Sequence, residues 1–113
     1  MSFEPREYLQ HILAEADYLV THSRDLAPET FQADETLRRA FVRSLEIIGE
    51  AANQVSQELC ERAPEIPWSK IVSMRNRLIH AYSDVNIGLV WSTVVSDLPA
   101  LISQLEGLLA ADG

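Results

Sequence analysis

The segment Arg75-Asn76-Arg77-Leu78-Ile79-His80-Ala81-Tyr82 gathers side chains that can handle phosphate and protons without a metal. An arginine guanidinium can hold a phosphate through two parallel hydrogen bonds and stabilise charge developing on it. A histidine, with an ordinary pKa of about 6.5, can move protons at neutral pH. With the 2′-hydroxyl of RNA as the nucleophile, these are the parts that metal-free cleavage of an RNA phosphodiester needs. No serine, cysteine or metal-binding carboxylate pair is required. An arginine five positions before a histidine is expected by chance roughly 0.2 times in such a chain, so the bare spacing is weak evidence. The plain alternative is a core arginine in an ion pair and a histidine at a helix end.

What these residues can do depends on the helix that carries them. With successive residues at 100° steps and Arg75 at zero, Trp68 falls at about 20°, Ile71 at about −40°, Val72 at about 60°, Leu78 at about −60° and Tyr82 at about −20°. Arg75 thus stands in the middle of an apolar stripe, where a guanidinium needs a partner or a cleft. Arg77, at about 200°, points to solvent. Asn76 and His80, at about 100° and 140°, sit one turn apart at the stripe's edge. Arg75 and His80 are therefore not simple neighbours. The reach of the arginine, a loosened helix end or a second subunit must close the gap between them.

The rest of the chain is patterned as helix, with no alternating runs between hairpin turns. A first helix is predicted over 5–24, where Leu9, Ile12, Ala16 and Leu19 recur at three- and four-residue steps and Pro5 occupies the first turn. A polar connection over 25–33 leads to Asp34, the predicted cap of a long second helix over 34–62. Its stripe contains Leu37, Phe41, Leu45, Ile48, Ala52, Val55 and Leu59, and Gly49, Ala51 and Ala52 would admit another helix closely. The third helix, over 67–82, carries the motif. After a short turn, Asn86 or Asp84 caps a fourth helix over 86–109, with a stripe of Trp91, Val94, Val95, Leu98, Ile102, Leu105 and Leu109 and a bend near Val95 caused by Pro99. Four helices with short connections predict an all-α, mostly antiparallel four-helix bundle.

At 113 residues and 12.7 kDa the chain fits a single domain over 1–113, and a 47% hydrophobic content with four Gly and five Pro describes a packable globule. No run of roughly 18 apolar residues occurs, and the first ten residues carry acids and a proline. A cytoplasmic protein without membrane association is expected. Cys60 is the single cysteine, so it cannot form an internal disulfide and reads as an ordinary helix residue. A net charge of −8 argues against general nucleic-acid binding, yet 36–45 holds Arg38, Arg39 and Arg43, and 66–83 holds Lys70, Arg75 and Arg77, neither with an acid. Glu46 and Glu50 lie one turn apart with no third ligand beside them, so a solvated or ion-paired face is expected, with Glu50 a candidate to steer Arg75. His11 and His22 read as structural or surface residues. Neither a metal nor a cofactor is expected.

The longer string resembles the HEPN superfamily of helical bundles, whose signature is an Arg, a polar residue that is often Asn, and a His a few residues on. It looks most like the HepT branch, whose Arg-x4-His-x-Tyr pattern is matched by Arg75, His80 and Tyr82. The resemblance extends to Arg43-Ser44-Leu45-Glu46-Ile47-Ile48-Gly49-Glu50-Ala51, to Ile66-Pro67-Trp68 and to Leu98-Pro99, and so spans nearly the whole chain. It implies a symmetric homodimer and a ribonuclease toxin of a type VII-like toxin–antitoxin pair, with Arg75 and His80 catalytic. Asn76, Arg77, Lys70 and Arg43 would support catalysis or bind RNA. A minimal nucleotidyltransferase antitoxin would silence the toxin by placing AMP on Tyr82. The rival expectation is a non-catalytic HEPN dimer that binds nucleotides or a partner protein.

Overall fold

The computed structural model describes residues 3–80 and 85–112, except for the side chains of His80 and Asp112. Tyr82, and Asp84 as a candidate cap, lie outside the described residues. Helices run over Pro5–Ser23 (α1), Pro28–Ala33 (α2), Glu35–Gln54 (α3), Gln57–Arg62 (α4), Trp68–His80 (α5), Ile87–Ser92 (α6) and Leu98–Asp112 (α7), with a π-helical turn at Thr93–Asp97 joining the last two. The fold is all-α, as the pattern predicts, and no strand occurs among the described residues.

The core follows the apolar stripes. Leu9, Ile12, Ala16 and Leu19 of α1 bury against Phe41, Leu45 and Ile48 of α3 and against Val94, Leu98 and Leu105. Burial of each Leu, Ile, Val or Phe side chain contributes about 1.5–3 kcal/mol. Arg6 at the start of α1 donates to the Leu109 carbonyl near the end of α7, so these two helices run antiparallel. The stretch Ile87–Ala111 is one continuous 25-residue helix, long and apolar enough by composition to cross a membrane. Its stripe of Val90, Val94, Leu98, Leu101, Leu105 and Leu109 is buried in the bundle.

Three local features depart from the expected pattern. The 25–33 connection contains α2, with Pro28 in its first turn; Phe31 is fully buried against Phe41 and Trp91, with ring centroids 4.8 and 5.1 Å apart. One large aromatic anchors a helical turn that its polar neighbours conceal. The second predicted helix is broken, because Val55 is extended and the Ser56 hydroxyl accepts from Leu59 N–H at 3.2 Å to start α4. Third, the bend is a π turn. Pro99 has no N–H for the Val95 carbonyl, and the chain inserts one residue so that Leu98 N–H reaches the Thr93 carbonyl. Val95 is 41% exposed, while Val90 and Leu101 are buried together with Val94. Asn86 caps α6 by accepting from Leu89 N–H at 3.0 Å.

Candidate functional site

α5 is held against α3 at one point of very close approach. A Cβ on Gly49 would lie 2.0 Å from Arg75 Cβ and 3.2 Å from Arg75 Cα, so only glycine admits the arginine's stem here. The close helix approach expected at Gly49 is therefore present, and it seats Arg75. From that notch the guanidinium reaches Glu50 one residue further along α3, Nη2 donating to Oε2 at 2.5 Å. Nη1 donates to Asn76 Oδ1 at 2.8 Å. The side chain is 25% exposed, so Arg75 is neither fully buried nor free in water. Nε is buried and has no partner among the described residues.

The cleft around this guanidinium encloses about 460 Å³. Arg43, Glu46, Glu50 and Gln54 of α3 form one wall, Arg75 and Ile79 of α5 a second, and Phe3, Tyr8 and His11 at the start of α1 a third. Arg43 Nη1 stands 3.7 Å from Glu46 Oε1, so the cleft holds two arginines and two glutamates in matched pairs. Glu46 and Glu50 are ion-paired, the second of the two arrangements left open by their spacing. The other arginines of the first basic stretch are used locally, Arg39 with Glu35 at 2.8 Å and Arg38 on the Gln32 carbonyl.

The remaining sequence-predicted site residues divide. Asn76 joins Arg75 directly, and Arg43 shares its cleft. Lys70 does not; it lies 3.7 Å from Asp97 in a separate groove between α5 and α7. Arg77 is exposed, as predicted, and borders a small hollow with Met74, Leu78 and Asn86. His80 continues α5 without a break, so a loosened helix end between Arg75 and His80 does not close the roughly 140° between their positions. Sequence reasoning assigned His11 no place near the motif. Its ring stands in the Arg75 cleft, and only the packing of α1 on α3 reveals this. His22, by contrast, is exposed and rests on the Tyr18 ring.

Among the described residues no three His, Cys, Asp or Glu side chains converge as metal ligands. Burial, and then the nearby Glu61, push the Cys60 thiol above its usual range, which disfavours the reactive thiolate. The chemistry within reach of the cleft is that of two guanidinium–carboxylate pairs, with the Asn76 amide on one of them and the His11 imidazole in the opposite wall.

Residues 8–108 match the family described as ribonuclease HepT-like. A relative from Caldanaerobacter subterraneus subsp. tengcongensis, provisionally named an RNase, is 43% identical over 93% of this chain and 94% of its own length. Another from Thermococcus cleftensis, provisionally named ribonuclease HepT, is 36% identical over 91% of this chain and 94% of its own. A third, from Methanocaldococcus jannaschii and also provisionally named an RNase, is 33% identical over 89% and 93%. No solved structure gives a significant match. The chain belongs to the HepT-like ribonuclease family.

Proposed function

From this family membership and the seating of Arg75, we propose that the protein is a metal-independent endoribonuclease whose catalytic residues are Arg75 and His80. The observation that carries the reading is the guanidinium itself, fixed by the Gly49 notch at a cleft, hydrogen-bonded by Asn76 and left with an idle buried Nε. An unmade hydrogen bond of this kind costs about 1–3 kcal/mol. A phosphodiester offers two oxygens and can displace Glu50, whose side chain is about half exposed.

In the proposed reaction neutral His80 takes the proton of the RNA 2′-hydroxyl. The 2′-oxygen bonds to phosphorus, the bond to the 5′-oxygen breaks, and a histidine returns the proton to that leaving oxygen. Arg75 stabilises the charge that builds on the phosphate oxygens. The 2′-hydroxyl supplies the nucleophile, so no metal is needed to generate one. A second subunit supplies a route around the helical offset of the pair, and the proposal includes a homodimer. It also includes a minimal nucleotidyltransferase antitoxin that transfers AMP to Tyr82 and so covers the neighbouring arginine and histidine with a bulky anion.

The test is cleavage of single-stranded RNA by purified protein in EDTA. His80→Ala is expected to lower the rate about 10²–10⁴-fold with an unchanged melting temperature. Full activity in that variant sinks the assignment. A second reading, a non-catalytic nucleotide- or protein-binding module, draws on the net charge of −8 and on Glu50 occupying Arg75. RNA left intact by a folded wild-type protein that still binds mononucleotides would favour it.

A further inference from the structure

The wall that α1 contributes to the Arg75 cleft is aromatic. The Phe3 ring meets His11 with centroids 4.8 Å apart and planes at 86°, and meets Tyr8 at 5.7 Å and 89°. Tyr8 and His11 stand 6.3 Å apart at 81°. Part of this is local helix chemistry. Phe3 immediately precedes the capping residue Glu4 and packs on Tyr8 in the first turn, the arrangement that fixes how a chain enters a helix. Phe3 N–H also donates to the Tyr8 hydroxyl at 3.3 Å.

That role leaves much of Phe3 unexplained, because the ring remains 49% exposed while lining the cleft. An aliphatic pair would fix the chain as well. The edge-to-face contacts hold the ring in place, and about half of its surface stays open to a planar ligand. The electrostatics of the cleft favour such a ligand. Both arginines are already paired with glutamates in a chain of net charge −8, so the phosphate backbone alone finds weak attraction here. Uncharged contacts must then supply much of the affinity, and stacking on aromatic rings does so for bases of any sequence. A volume of about 460 Å³ lies within the range of small-ligand sites.

We infer that Phe3, Tyr8 and His11 form a nucleobase-stacking subsite for single-stranded RNA whose adjacent phosphate is held by Arg75. The inference rests on the RNA reading of the cleft. It assigns α1 a part in substrate selection and favours unpaired over duplex RNA, since a stacked base must leave its helix.

The probes are a 2′-O-methyl oligoadenylate, which lacks the nucleophilic hydroxyl and stays intact, and an abasic strand of the same length and charge. Anisotropy titration of the full-length protein is expected to show the base-bearing strand bound roughly five- to a hundredfold more tightly. Phe3→Leu, which keeps an apolar partner for Tyr8, should remove most of that preference and leave abasic binding unchanged. Phe3→Trp should preserve it, and thermal melts of both variants report whether the fold is intact. Equal binding of the two strands by wild type, or an undiminished preference in folded Phe3→Leu, overturns the stacking subsite while leaving the RNA reading in place. Binding of neither strand overturns both. A base preference that disappears with Phe3→Trp as well as Phe3→Leu, with unaltered melts, also overturns the stacking role.

Discussion

The two sides of α5 differ in what α3 places opposite them. On the side shared with α3 and the start of α1, Gly49 lets Arg75 in to backbone contact, and the cleft is lined by paired charges and rings. On the side shared with α7, the bulkier Leu45 and Ile48 of α3 contribute to a largely apolar groove of about 280 Å³ with Ile71, Met74 and Leu101. The Lys70–Asp97 pair stands in that groove with both side chains well exposed. A single glycine thus separates the side of the helix that seats a paired guanidinium from the side that offers apolar surface.

The largest effect that sharpens this contrast is expected from Gly49→Ala. Its new methyl would collide with the Arg75 stem, and overpacking of about 1–3 kcal/mol outweighs the gain of about 1 kcal/mol in helix propensity. Displacing a catalytic group by about 1 Å can cost about a hundredfold, so RNA cleavage should fall at least tenfold in a rate assay. The matching change Gly107→Ala on α7 meets nothing within 4 Å and should stabilise by about 0.5–1 kcal/mol in a denaturant titration, with cleavage unaltered. Equal loss of activity in both variants would break the comparison.

A smaller effect is expected from Glu50→Gln, which removes the carboxylate competing with phosphate for Arg75. Oligoribonucleotide binding should tighten severalfold at low salt, and stability should change by less than about 1 kcal/mol because the pair is partly solvated. Weaker binding would show that Glu50 helps to hold the substrate. The smallest effect belongs to the other side of α5. Lys70→Ala should shift stability by at most about 1 kcal/mol and leave the cleavage rate within about twofold, since this exposed pair lies outside the Arg75 cleft. A large rate loss would extend the RNA path across to the groove.

Residue types and periodicity carried much of this. The apolar stripes of α1 and α3 and the cap at Asp34 are written in local spacing, because helical geometry converts separation along the chain into a shared face. Other features were hidden because their causes are not periodic. α2 depends on one buried aromatic, α4 on one serine cap, and the π turn on the N–H that Pro99 lacks.

The sequence by itself determined an all-helical chain with an arginine set among apolar residues and a histidine five positions on, since both follow from residue identity and a fixed rotation per residue. Which charges meet was decided only by the tertiary structure. Lys70, Arg75 and Arg77 share one basic stretch, yet packing against α3 and α7 sends them to three different surroundings. The same packing brings Phe3, Tyr8 and His11 from the far end of the sequence to the arginine's cleft, because helix-on-helix contact joins residues that no local spacing relates.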